Sequence, residues 1–120
     1  MGSMARKIDI ASGRAAIDAV QQGSVARTDT ATAVRYLLQL LEERAPGRSV
    51  EVRVPPFGAV QVIQGPTHTR GTPPNVVEME PRTWVALATG EIAWTDAMSE
   101  GRIAASGTRA DIAALIPVRW

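Results

Sequence analysis

Few residues in this sequence have types and spacing that could do chemistry. His68 is the single histidine, set between Thr67 and Thr69. A general base needs a nucleophile within hydrogen-bond reach and a third group to orient it, and no neighbour in sequence marks either. With no cysteine and no second histidine in the chain, His68 has no evident co-ligand for a metal. It reads as a solvated loop residue. Glu78 and Glu80 stand two residues apart, and paired carboxylates can divide into acid and base when their pKa values are pushed apart. Here they occupy the polar side of an alternating stretch, which is the pattern of a solvated strand. Arg53, Arg70, Arg82 and Arg102 carry a fork suited to carboxylate or phosphate, yet their spacing does not gather them. No phosphate-cradling glycine motif, HExxH, GxSxG, EF-hand loop or zinc finger is present. The expectation is a non-enzyme with no catalytic residue, no metal and no cofactor.

One feature of a different kind stands out. Trp84, Leu87, Trp94, Ala97 and Met98 concentrate bulky and soft apolar groups in a short span. Spacing leaves two readings open: ordinary core packing, or an apolar pocket between helices and sheet. A pocket working by burial gains about 0.8 kcal/mol per methylene, roughly 8 kcal/mol gross for ten methylenes before ordering costs. It needs no polar machinery and leaves no catalytic signature.

The elements that must position these residues follow from periodicity. Asp9 to Gln22 reads as a helix with Ile10, Ala16, Ile17 and Val20 on one side, capped by Asp9 or Ser12 and stopped at Gly23. Thr30 to Ala45 is the clearest helix. Val34, Leu37, Leu38 and Leu41 follow the helical period, Arg35, Gln39, Glu42 and Glu43 point away, and Pro46-Gly47 ends it. Ser49 to Val54 alternates as a strand, and Phe57 to Gln64 forms a second one across a Pro55-Pro56 connection. Gly65 to Pro74 is the main loop. Asn75 to Glu80 is a third strand, and Pro81 opens a helix to Ala88 that Gly90 closes in a left-handed cap. Glu91 to Ser99 is a short helix and Gly101 to Ser106 a strand. Thr108 to Asp111 reads as a capping box ahead of a closing helix through Ile112, Leu115 and Ile116. Alternating strands need one covered face, and the amphipathic helices supply it, so the fold class is α+β.

Length and composition bound the answer. The 120 residues suit one domain, and 45% hydrophobic with 21% charged residues argues against disorder. Residues 1–7 are expected to form a disordered tail, with Met1-Gly2-Ser3 ahead of Met4 as a cloning remnant, and residues 8–120 a single domain. A net charge of +1 sets up no long-range field, so neither nucleic acid nor an anionic membrane is an expected partner. The absence of cysteine excludes disulfides and suits a reducing cytoplasm. No transmembrane segment of about 18 apolar residues and no signal-peptide core occurs.

The stretch from Met79 to Val118 resembles the sterol-carrier-protein-2 superfamily, and most closely its short bacterial, actinobacterial group. The resemblance runs in order: a strand entering an apolar-faced helix (Glu80 to Ala88), then Thr89-Gly90-Glu91 before a short helix holding Trp94 and Ala97. Gly101-Arg102-Ile103 then opens the last strand, and Gly107 leads to a closing helix, Asp111 to Ile116. Upstream, Arg27 to Gly65 is similar as well, so the likeness spans residues 24–118. The sequence departs from the family at Gly107-Thr108, where Gly-Asp is commoner, which implies a different helix cap. It is also short over Arg70 to Pro74, where larger relatives have more sheet.

The resemblance implies an SCP2-like two-layer fold. Its curved, mostly antiparallel or mixed sheet of about five strands is covered by helices on one face and encloses an apolar tunnel. It implies non-catalytic binding of a fatty acid, acyl-CoA or sterol-like molecule. By matching position the ligand-binding candidates are Val62, Met79, Trp84, Leu87, Trp94, Met98 and Ile103. The rival expectation is a structural or protein-interaction domain with a collapsed pocket, serving a partner or a homodimer.

Overall fold

The computed structural model describes residues 7–65 and 75–120. The expectations for the tail before Lys7, for His68 and Arg70, and for most of the Gly65 to Pro74 loop lie outside the described residues.

Helix α1 spans Ile10–Gln21. Asp9 caps it, its carboxylate accepting from the Ser12 backbone N–H at 3.0 Å and from the Ser12 hydroxyl at 2.7 Å. This satisfies one of the four backbone donors that a helix start leaves unpaired. The buried face consists of Gly13, Ala16 and Ile17, small enough for close approach to a neighbouring helix. Ile10, expected on that face, is instead 60% exposed.

That neighbour is α2, Arg27–Arg44. It begins three residues before the expected start, with Ala26 as an N-cap that makes no side-chain bond. Its Val34, Leu37, Leu38 and Leu41 are fully buried, and so are Ala33 and Tyr36. Two apolar faces follow from its position, since it contacts α1 as well as strands of the sheet. Gln39, expected to face solvent, is buried. Its amide accepts from the Ile8 N–H at 2.8 Å and donates to the Ile8 carbonyl at 3.0 Å, holding the segment before α1 in place.

The sheet contains β1 (Pro46–Val54), β2 (Gly58–Val62), β3 (Asn75–Met79) and β4 (Ile103–Ser106), in the order β2-β1-β3-β4. The expected alternation holds: Val50, Val52, Val54, Val60, Val62 and Val77 point into the core. The tight proline-stiffened hairpin between β1 and β2 is present, with Val52 opposite Val60. β1 and β3 are parallel, Val52 beside Val77, while β3 and β4 are antiparallel, Met79 beside Ile103. The sheet is therefore mixed and has four strands among the described residues, where about five were expected. β1 also starts earlier than the alternation indicates. A bulge lets both Pro46 and Val50 register on Val62, and the extra residues remain tied down by an Ile63 N–H to Ala45 carbonyl bond of 2.8 Å.

Helix α3 (Pro81–Thr89) has its proline in the first turn, and Gly90 closes it with φ 88° as expected. The N–H groups of Glu91 and Ile92 both return to the Ala86 carbonyl. That loop delays α4, which spans only Trp94–Ser99 rather than starting at Glu91.

The closing helix expected after Thr108 does not form; a single 3-10 turn, Ala113–Leu115, stands in its place. Asp111 lies just ahead of the Ile112 N-cap and accepts from the Ala113 N–H at 2.7 Å. Ile116 precedes Pro117 and is driven into an extended conformation, φ −117° and ψ 149°, which forbids another helical turn. Residues beyond it run as a strap across the helix ends. The Val118 N–H donates to the Ala88 carbonyl at 2.9 Å, and Arg44 Nη1 donates to the carbonyls of Leu115 and Pro117 at 3.1 Å each.

Candidate functional site

The strap and the α3–α4 corner enclose an opening of about 420 Å³. Its walls are Leu87 at the end of α3, Ile92 in the connecting loop, Trp94 at the start of α4, Ala113 in the 3-10 turn, and Ile116 and Pro117 where the strap begins. Local chemistry places each of them. The left-handed turn at Gly90 reverses the chain so that Trp94 faces back towards Leu87, and Pro117 packs against that turn. A Cβ on Gly90 would meet the Pro117 side chain at 3.5 Å. None of the lining residues is charged, and the Thr95 hydroxyl and the Trp94 indole N–H are the side-chain polar groups among them. Such a groove can bind by removing apolar surface from water but cannot move a proton or hold a metal.

The seven residues singled out in the sequence divide among different places. Leu87 and Trp94 border the groove. Trp84 is fully buried, its indole N–H donating to the Val34 carbonyl of α2 at 3.2 Å. Val62 is likewise without exposed surface. Met79 and Ile103 face each other across β3 and β4, and Met79 borders a smaller opening of about 210 Å³ with Glu78, Glu80 and Arg102. Met98 follows Trp94 by one helical turn, is 41% exposed, and lies outside the groove wall.

Ile92, Ala113, Ile116 and Pro117 were missed as lining residues. The signal was available in part: Ile116-Pro117 is an extended dipeptide by its composition. The helical spacing of Ile112, Leu115 and Ile116 pointed instead to a packed helix.

Of the polar candidates, Glu78, Glu80 and Arg102 share the margin of the smaller opening, and Arg53 lies beside Glu78 across β1 and β3. Glu78 and Glu80 are both exposed, flanking Met79 at the sheet margin. Arg53 is hydrogen-bonded to Glu51 beside it, which raises the guanidinium pKa further above its ordinary value. Arg102 reaches the Thr83 hydroxyl at 3.2 Å and Glu100 at 3.5 Å, fastening the approach to β4 onto α3. Among the described residues no group of three or more acidic or histidine side chains is disposed to hold a metal, and no helix is long and apolar enough to cross a membrane.

A model of the family described as bacterial SCP ortholog matches residues 26–118. The chain belongs to that family. The match begins at the N-cap of α2 and ends at the strap, so it takes in the whole sheet, α3, α4 and every wall of the Trp94 groove. Helix α1 precedes it. No curated protein matches the chain.

Proposed function

We propose that this bacterial SCP ortholog is a non-catalytic carrier or accessory module that holds a lipid or other hydrophobic small molecule. The single observation that carries the reading is the uncharged groove beside Trp94, set within a family whose description points to carriage. Its 420 Å³ offers room for about fourteen water-sized groups at ~30 Å³ each. That suits an acyl segment of a fatty acid or acyl-CoA better than a whole sterol. Ten buried methylenes would contribute about 8 kcal/mol before ordering costs. Leu87 and Trp94 contact the chain directly in this reading, and Met98 stands next to the mouth. Val62, Met79, Trp84 and Ile103 are buried core residues outside the groove lining in this reading. A cytoplasmic location accords with the cysteine-free composition.

Titration with fluorescent fatty acids and sterols, followed through tryptophan emission, tests the proposal. Saturable fatty-acid binding that weakens about tenfold in Trp94→Ala is expected, since the lost apolar wall amounts to a kcal/mol or more. Affinity no better than that of an unrelated protein surface would sink it.

A second reading is a protein-interaction or structural domain, and the complete burial of Trp84 with its N–H satisfied favours it. Native mass spectrometry of protein purified without detergent separates the two. Retained lipid favours the carrier, whereas lipid-free homodimer favours the interaction domain.

A further inference from the structure

The parallel strands β1 and β3 finish side by side at one end of the sheet, and the Pro55–Phe57 turn follows directly on β1. That end carries opposite charges on its two flanks. On one flank, α2 lays two guanidiniums over a single ring: Cζ of Arg27 stands 5.0 Å from the Phe57 centroid and Cζ of Arg35 5.9 Å. Arg35 Nε also donates to the Phe57 carbonyl at 2.8 Å, which fixes the group and leaves its Nη donors unused. Neither arginine forms an ion pair among the described residues. Asp29, the acid of the first turn of α2, accepts from the Ser24 hydroxyl at 2.6 Å and pairs with neither guanidinium.

On the other flank is the opening of about 210 Å³, whose lining includes Pro55, Glu78, Glu80 and Arg102. Glu78 and Glu80 are exposed and form no ion pair among the described residues. Arg102, the one cation of the lining, is already matched by Glu100 at 3.5 Å, and Arg53 beside Glu78 is matched by Glu51. Arg82, two residues past Glu80, is exposed but does not line the opening. The lining therefore keeps an excess of negative charge. Between the flanks, Pro55 and Pro56 are exposed, and Val25, two residues ahead of Arg27, is 80% exposed.

A positive and a negative flank on either side of one apolar ridge are self-complementary, because a twofold axis through the ridge lays each on its opposite. We propose that this end of the molecule is a homodimer interface. Arg27 and Arg35 of one copy face Glu78 and Glu80 of the second, and the same contact recurs on the other side of the Pro55–Pro56 turn. Opposed charges of this kind set orientation and encounter rate more than affinity. With little apolar surface between them, the dimer is weak and salt-sensitive. It supplies the interaction-domain reading with a surface but does not rest on it. The carrier reading is equally compatible, since the Trp94 groove lies at the far end of α3 from Glu80.

Sedimentation equilibrium of the whole chain tests the proposal. A monomer–dimer equilibrium is expected, its dissociation constant rising about tenfold between roughly 0.05 and 0.5 M sodium chloride. Arg27→Glu with Arg35→Glu, and separately Glu78→Arg with Glu80→Arg, each weaken self-association by about tenfold or more, since like charges then oppose one another. Mixed in equal amounts, the two double variants recover a dimer, because every contact is then between opposite charges. Asp18→Arg with Glu91→Arg adds the same charge elsewhere on the surface and does not recover a dimer with the Arg27→Glu, Arg35→Glu chain. Circular dichroism verifies the fold of each variant. Trp94→Ala leaves the dimer unchanged, so loss of lipid binding and loss of self-association are read separately. A monomer at every concentration up to about 1 mM, a dimer indifferent to both double substitutions, or a control as effective as the matched pair would each overturn the assignment.

Discussion

Gly13 shows how one residue sets a packing distance. A Cβ at that position would lie 2.3 Å from Cγ of Tyr36, well inside contact with the ring. In an exposed helix interior, glycine to alanine stabilises by roughly 0.8–1 kcal/mol. Here the added methyl must push α1 off α2, and overpacking of this kind costs about 1–3 kcal/mol. Gly13→Ala is therefore expected to lower the urea midpoint. A raised midpoint would mean that α1 does not sit on Tyr36. Gln39 makes a related point: its polarity marked it for solvent, but its two bonds to Ile8 make burial the lower-energy choice. Neither contact is legible along the chain, because each joins residues more than twenty positions apart.

Among the elements, α1 draws local support from its Asp9 cap. Hydrogen bonds from the Ser12 side chain, then from the Ser12 backbone, hold the Asp9 carboxyl below its ordinary pKa of 3.8. A carboxyl whose folded pKa is depressed stabilises the native state above its unfolded pKa and loses that contribution as pH falls through the folded value. The advantage of the natural chain over Asp9→Ala is thus expected to be constant from neutral pH to just above 3.8, and to shrink at lower pH. Chemical denaturation of both proteins across that range checks it, and an advantage that grows on acidification would contradict the cap geometry. The short final turn carries the opposite lesson. Ile112, Leu115 and Ile116 have helical spacing, but Pro117 imposes an extended neighbour and the strap bonds to Ala88 and Arg44 replace the missing helical ones.

For the whole molecule, Trp84 is the residue on which the layers meet. It rises from α3, is fully buried, and bonds the backbone of α2. Trp84→Ala is expected to cost about 3–5 kcal/mol, a large part of the 5–15 kcal/mol typical of a domain. Trp84→Phe keeps most of the packing and loses the N–H bond, for about 1 kcal/mol. Equilibrium urea unfolding measures both, and near-equal stabilities for Trp84→Ala and the natural chain would remove Trp84 from the core. If Trp84 instead faced a ligand, alanine would leave stability nearly intact and abolish binding.

The sequence by itself determined the α+β class, the order and approximate limits of α1, α2, the β1–β2 hairpin, β3 and α3, and the left-handed cap at Gly90. These depend on periodicity, proline and glycine, whose effects act within a few residues. It also carried, through ordered small-residue motifs, the likeness to the family that matches residues 26–118. Tertiary structure alone decided that β1 and β3 run parallel, that Gln39 goes inside, and that the last segment becomes a strap rather than a helix. It likewise decided which of the apolar candidates share a wall. Trp84, Trp94 and Met98 have the same local signature of a helical apolar residue, yet one bonds α2, one borders a groove and one stands in solvent. What separates them is the neighbour each meets across the fold, and that is set by how the helices close over the sheet.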